Sequence, residues 1–364
     1  MTAGAGARVS GHAHARTLTE TYRRFAEVEV PAASALHARV ALALSQSPEA
    51  LEALQSLPTG KRGPALVLAA LHDLALTGHA PALAAAHAAG DGDAAARAAV
   101  DALLVHTDTI VHSAMRRRVR ADETGHGTVL YPALAEVAAR AGATAVGLVD
   151  VGCSAGLNLG VDRVGITYGA RLTLGNPSSP VQQAAALVGD RPVPARPLPD
   201  VVARIGVDRD PLDVTDADDV RWLRACLPPD QGVRRAQLDA ELALAAAAPP
   251  ALLRGDPLEV LPEALGRVPA GALPVVTTTW ALSRIRPGRR GALLHVLERT
   301  AADRPVAWVS AEGVGVAPGM PTLGDRPASG HSIIGIAVFD GSARHAEAVG
   351  RCWSRGRLMA WLAD

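Results

Sequence analysis

The chain has 364 residues, 49% hydrophobic and 20% charged, a globular composition long enough for two domains and unlike a disordered or collagenous one. Lys+Arg and Asp+Glu balance at 36 each, so no net field draws it to nucleic acid or to an anionic membrane. Three scattered cysteines, Cys153, Cys226 and Cys352, form neither a CxxC pair nor a pairing framework; a disulfide scaffold and a cysteine metal site have no support, and a reducing cytoplasm is the expected setting.

The first thirty residues hold no apolar run of signal-peptide length, and no stretch of 18 apolar residues suggests a membrane span. Residues 1–15, with His12 and His14, read as a flexible tail. From 17 to 140 apolar residues recur at helical spacing, as in Leu66, Val67, Leu71 and Leu74, with breaks at Pro31, Pro48, Pro58, Pro81 and the Gly90-Asp91-Gly92 turn. This predicts an all-α domain over 16–143 with six or seven helices and no strand. Beyond 144 the rhythm changes. Apolar runs of strand length at 145–151, 201–207, 251–253, 273–278, 306–309 and 333–339 alternate with helical stretches at 216–226, 232–248, 257–265 and 291–300. The alternation predicts an α/β, Rossmann-like domain over 144–364, built on a mostly parallel sheet covered on both faces. After the first strand a helix fits only over 155–163, because 166–168 and 171–174 alternate around Gly169-Ala170 as a β-hairpin. A Pro-rich stretch follows to Pro199, and 165–200 reads as an insertion placed to cover a site.

The segment Asp150-Val-Gly152-Cys-Ser154-Ala-Gly156-Leu-Asn158 leaves the first strand of that domain. Glycines there admit a ligand close to the backbone, and the N–H groups of a helix start attract its polar atoms. The D-x-G-x-S-x-G form is closer to the acidic-x-G-x-G-x-G turn of S-adenosylmethionine (SAM) methyltransferases than to the G-x-G-x-x-G of NAD enzymes, with Ser154 in place of the middle glycine. Asp208 at the end of the second strand suits ribose hydroxyls, and Asp256 after the third suits an adenine amino group. Singly, each fits an N-cap or turn role as well. The turn also satisfies G-x-S-x-G, a hydrolase nucleophile elbow, with Ser154, Asp256 and His331 in Ser–Asp–His order. The long helical region ahead of it, without an oxyanion-hole segment, counts against that reading.

The runs Gly152-Cys-Ser-Ala-Gly-Leu-Asn158, Val202-Ala-Arg204-Ile-Gly-Val-Asp208, Asp213-Val-Thr-Asp216, Arg221-Trp-Leu223 and Arg254-Gly-Asp256 resemble a bacterial family of unknown function that is generally regarded as SAM methyltransferase-like. The resemblance covers about 36–313. It implies a class I methyltransferase-like domain with a helical N-terminal region, and no established reaction. Where the family tends to show Arg-x-Gln-Thr-Asn-Glu, this chain has Arg118-Val-Arg120-Ala-Asp122-Glu123; the family's Trp-Pro-Glu-Gln segment is here Leu227-Pro-Pro-Asp-Gln231. The exchanged polar residues suggest a changed substrate or reaction.

Ligands of open α/β sheets bind beyond the C-terminal strand ends, which puts Thr278, Thr279, Trp280 and Glu312 beside the acceptor. Trp280 reads as an apolar or cation-facing wall, Glu123 and Asp122 as acids facing the site from the helical domain, and Tyr131 as a hydrogen-bond donor. The expected SAM set is Asp150, Gly152, Ser154, Gly156, Asn158, Asp208 and Asp256. His72, beside Asp73 in an apolar helix, reads as a satisfied interior histidine rather than a base, and no two histidines show metal spacing. The leading expectation is a SAM-dependent methyltransferase-like enzyme acting on a small metabolite. The alternative keeps the fold without SAM, for an intramolecular displacement, elimination or ring closure of secondary metabolism, with Arg118 or Arg120 on an anionic leaving group. A Ser154 hydrolase is third. A further alternative makes the chain a non-catalytic partner subunit, since no nucleophile–base pair is identifiable from sequence; the enzymatic readings leave room for a partner subunit or a homo-oligomer, and no nucleic acid, membrane or metal is expected.

Overall fold

The structure, a computed structural model, describes residues 17–120, 124–170 and 172–363, so the expected tail with His12 and His14, and the acids Asp122 and Glu123, lie outside the described residues. The chain divides into two compact units. One holds residues up to Val119 together with Arg221–Gly232, and the other holds Arg120–Val220 with Val233–Asp364.

The first unit is helical, and its helices start where local chemistry satisfies their free N–H groups. Thr17 and Glu20 close a capping box on Leu18–Arg24, Ser34 and Ser47 cap Ala35–Gln46 and Pro48–Gln55, and Asp91 caps Gly92–Val105. Pro64 and Pro81 sit in the first turns of Pro64–Leu76 and Pro81–Ala89, where no N–H is needed. The later segment 221–232 is stitched into this unit. Arg221 pairs with Asp73 (2.8 Å), Trp222 Nε1 donates to the Arg118 carbonyl (2.8 Å), and Ser34 donates to Asp230 (2.6 Å). Buried His72 donates from Nδ1 to the carbonyls of Ala225 and Leu227 (3.2 and 3.0 Å), an interior capping role.

Among the described residues the second unit carries an 11-stranded mixed sheet: β1 (Ala145–Val151), β2 (Gly165–Tyr168), β3 (Leu172–Gly175), β4 (Gln182–Leu187), β5 (Asp200–Asp208), β6 (Ala251–Arg254), β7 (Leu273–Thr279), β8 (Val306–Gly313), β9 (Ser332–Asp340), β10 (Ala343–Trp353) and β11 (Leu358–Trp361). The order is β3-β2-β4-β11-β10-β9-β8-β7-β1-β5-β6. From β6 through β8 all neighbours are parallel, and β8 to β11 continue antiparallel. From β1 the chain steps outward to β5 and β6 on one side, then returns to β7 and β8 on the other, so its direction of winding reverses between β1 and β7.

The sheet curls around the helix Gly127–Arg140, which touches β8 and β9 in mid-sheet and also β2 and β4 near the far edge. That is why every residue of the helix from Gly127 to Ala138 is buried. The helix therefore belongs with the sheet, and the unit boundary falls before Arg120 rather than where the sequence rhythm changes at 143. Pro132 inside it has no N–H for the Thr128 carbonyl, which accepts the Tyr168 hydroxyl instead (2.5 Å). Tyr131, expected as a substrate donor, is buried in this core, where its hydroxyl accepts from the Leu198 N–H (3.4 Å). The expected hairpin forms as β2 and β3, but the insertion extends the sheet at the edge remote from β1, with β4 pairing to β2 and β11. A second core, with Val149, Val276 and Trp308, lies on the opposite face under the helices Pro257–Gly266 and Ala292–Ala301. Among the described residues no single helix is long and apolar enough to cross a membrane.

Candidate functional site

The parallel strands β1, β5, β6, β7 and β8 end on one side of the sheet, where Asp150, Asn158, Thr277 and Thr279 lie. Side chains alternate along a strand, so with Leu148 and Val275 packed toward the helix Gly127–Arg140, Asp150, Thr277 and Thr279 face the same way. Asp150 accepts the Thr277 hydroxyl on Oδ1 (2.7 Å) and Asn158 Nδ2 on Oδ2 (3.3 Å); the same amide nitrogen reaches Thr279 Oγ1 (3.2 Å). With its nitrogen so engaged, Asn158 turns its oxygen to His126 Nδ1, which donates (3.1 Å). That bond puts a proton on Nδ1 of the imidazole, and its Nε2 is buried. Its ring centroid lies 4.8 Å from that of half-buried Trp280. Trp280 Nε1 donates to Ser332 Oγ (2.8 Å), and the Arg355 guanidinium stands 5.4 Å from the indole centroid.

Three buried carboxyls stand one step behind this pair. Burial pushes Asp150 up to about 7, with the nearby Asp208 charge adding to the effect, against the hydrogen bonds from Thr277 and Asn158. Burial likewise pushes Glu241 up to about 7; its Oε1 accepts from Gln237, Gln183 and the N–H of Gly125, the residue before His126. Glu312 is also raised to about 7 by burial, and its Oε1 accepts from the N–H groups of Ala281 and Leu282, just after Trp280 (2.9 Å each). Perturbed acids gather at functional sites more often than elsewhere. Backbone strain points to the same place. Trp280 (φ 50°) and Arg355 (φ 54°) are non-glycine residues in the left-handed region, as is Ser154 (φ 53°) in the turn after β1. Such residues cost about 1–3 kcal/mol each and persist where their surroundings over-determine them.

The glycine turn itself is closed on the protein. Its N–H groups at Gly152 and Cys153 donate to the Val207 carbonyl (2.7 and 3.3 Å), Ser154 N–H donates to Asp208 Oδ2 (3.0 Å) and Gly156 N–H to the Cys153 carbonyl (2.7 Å). A Cβ on Gly152 would sit 2.8 Å from the Ala281 methyl, and one on Gly156 2.8 Å from Pro250 Cγ, so these glycines admit neighbouring side chains. No α-helix follows; Leu157–Arg163 is a 3-10 turn. Asp208 Oδ1 accepts from Asp210 N–H (2.9 Å) and has the buried Arg120 guanidinium at 3.7 Å. Asp256 is the N-cap of Pro257–Gly266 and pairs with Arg209 (2.5 Å) and Arg289 (2.8 Å). Partial burial works against its ionisation, but Arg289 and Arg209 hold its carboxyl below the ordinary range.

Other expected residues are scattered. Thr278 points to the opposite face from Thr277 and Thr279, into the core, where its hydroxyl accepts Trp308 Nε1 (3.0 Å). Glu312 props the turn that carries Trp280 instead of lining an open surface. Arg118 is exposed in the helical unit, while Arg120 is turned onto Asp208 and Asp210. The Ser–Asp–His set does not assemble through hydrogen bonds: Ser154 Oγ is buried without a partner, Asp256 is held by arginines, and His331 Nε2 bonds Asp325 (2.9 Å), which Arg351 also grips (2.6 and 3.0 Å).

Sequence reasoning missed His126, Glu241, Thr277, Ser332 and Arg355. His126 did leave a signal, a lone imidazole between Gly125 and Gly127 directly ahead of an apolar helix. Glu241 left one too, an acid within the apolar stripe of Leu238, Leu242 and Ala245. Arg355 left none, because its place depends on the β10–β11 connection.

A family model described as an uncharacterized protein conserved in bacteria, DUF2332, matches residues 19–361. The chain belongs to the DUF2332 family. The match runs through both units and extends beyond the 36–313 stretch of the sequence resemblance at each end. No curated protein and no solved structure matches this DUF2332 chain.

Proposed function

We propose that this chain is an enzyme that performs proton-transfer chemistry, an elimination or ring closure, on a small metabolite at the His126–Trp280 cluster, using a class I methyltransferase-like scaffold without drawing on SAM. The observation that carries the reading is the Asp150–Asn158–His126 hydrogen-bond chain ending beside half-buried Trp280 at the C-terminal strand edge. His126 takes the substrate proton at Nε2, an atom buried in this structure, so the substrate has to open a path to it. Asn158, backed by Asp150, keeps the proton on Nδ1 and steadies the imidazolium that forms. Trp280 supplies an apolar wall that limits water, and the Arg355 guanidinium stands over its indole. In chain order the parallel strands run 3-2-1-4-5 across the sheet, the order of Rossmann-like enzymes, and the cluster lies by the reversal point next to β1.

SAM-dependent methyl transfer is the second reading. It is favoured by the meeting of the glycine turn with the acid that ends β5, through the bond from Ser154 N–H to Asp208. Against it stand the internally bonded N–H groups and the side chains pressed on Gly152 and Gly156.

Two measurements separate these. A ligand at one hundred times its Kd adds about 2.7 kcal/mol of stability, so a methyltransferase warms measurably in its melting point with SAM or S-adenosylhomocysteine; no shift is expected here up to millimolar concentration, and a clear shift would hand the site to the second reading. In metabolite extracts followed by mass spectrometry, the wild-type chain should convert a substrate that His126→Gln leaves about 100-fold or more slower. Conversion by His126→Gln at the wild-type rate would end the proton-transfer reading.

A further inference from the structure

We propose that Glu312 is a positioning residue that holds Trp280 against His126, and that its ionised form is the one that holds it. The inference rests on the reading of Trp280 as a wall of the site and assigns the regulation of that wall. Trp280 donates its own N–H to the Ala311 carbonyl (2.9 Å), and the next two N–H groups, of Ala281 and Leu282, converge on Glu312 Oε1. These three bonds impose the left-handed φ of 50° on a bulky residue that otherwise avoids it. An amide side chain would accept the same two bonds without a charge. Glu312 instead leaves Oε2 buried with no partner, a costly place for a carboxylate and a natural place for a proton. Uptake of that proton removes the charge assistance that roughly doubles the strength of the bonds at Oε1. The grip on the turn then weakens, and the indole is left to its Nε1 bond to Ser332 Oγ and the Trp280 N–H bond to Ala311, with more freedom to shift.

The groups around the carboxyl leave this step to Glu312. Arg290 is the charged neighbour and favours ionisation, while its own Nε donates to the carbonyls of Leu282 and Ile285. β9 places Ile333 opposite, and the turn contributes the backbone N–H groups of Ala281 and Leu282, bonded to Oε1, and of Ser283, which also favours the charge. Burial raises the carboxyl to about 7, so the change falls near neutrality.

The test is a fluorescence titration of the full chain from about pH 5 to 9, with the Trp280 signal isolated as the difference between wild type and Trp280→Phe. A step near pH 7 is expected in wild type, lost in Glu312→Gln and kept in His126→Gln. Glu312→Gln retains an acceptor oxygen; should it fail to fold, Glu312→Asp should displace the midpoint of the step. No step in wild type, a step unchanged in either Glu312 variant, or one lost only in His126→Gln would overturn the proposal. No substrate is involved, so the two ideas fail separately: a Glu312-dependent step together with undiminished substrate conversion by Trp280→Phe would keep the positioning role and remove the functional one.

Discussion

The turns that leave β1 and β7 are neighbours, touching where Gly152 meets the Ala281 methyl, yet they end in opposite states. The turn after β1 bonds its N–H groups to Val207, Asp208 and its own Cys153 carbonyl, and its one hydroxyl, on Ser154, is buried. The turn after β7 is gripped from beneath by Glu312 and raises the Trp280 ring beside His126. A glycine-rich turn at a strand end is a binding site only if its N–H groups are left for a ligand. Here a neighbouring strand and side chains take them, and the adjacent turn presents Trp280, where the proposed chemistry is placed.

The largest test of that contrast is Gly152→Val. It forces a β-branched residue to φ 75° and drives a side chain into Ala281, so strain and overpacking together should cost about 2–4 kcal/mol in denaturant unfolding. Gly142→Ala, at φ 63° with open space around it, should cost about 1–2 kcal/mol. Equal costs would mean that the turn after β1 is not closed by its neighbour.

Asp150 stands under both turns, bonded to Asn158 of the first and to Thr277 of β7, and its pH dependence sharpens the comparison. Its folded-state pKa of about 7 lies above the unfolded value near 4. The folded chain therefore binds the extra proton between these values; the associated stability is complete below about pH 4 and is lost as pH rises through about 7. Unfolding measured from about pH 5 to 8 should show a decline that Asp150→Asn makes shallower. An unaltered slope in that variant would place the titration elsewhere.

The smallest effect belongs to Asp256. As an N-cap whose arginine partners are largely exposed, it should lose about 1 kcal/mol on change to Ala, nearly all of it from the cap. Unchanged stability would reopen a ligand-binding role for this acid and with it the cofactor reading of the turn after β1.

Much of this architecture was legible. The 145–151 run is β1 to the residue, because an apolar strand buried on both faces between turn signals has few alternatives. The absence of strands before it holds among the described residues, since Ser34, Ser47 and Asp91 mark helix starts through local chemistry alone. β4, β10 and β11 were not read. The runs of β4 and β10 are mixed in polarity, as in the 343–347 stretch, β11 is only four residues long, and all three become strands by pairing with their neighbours in the sheet. The three threonines 277–279 looked alike in sequence. Strand alternation sends Thr278 to Trp308 and the other two to Asp150 and Asn158, a separation that needs the strand's facing direction to be known. Asp208 and Asp256 each carried a ligand reading and a structural one, and only their partners distinguish the two.

By itself the sequence determined the helical-then-alternating plan, the strand that opens the sheet and the stock of polar residues available, because periodicity, capping and turn preferences act over a few residues. Tertiary structure decided which of those residues meet. His126, Asn158, Trp280 and Arg355 are brought together by a helix start, two different strand ends and the link between the last two strands, and such contacts depend on strand order and facing that no local pattern encodes.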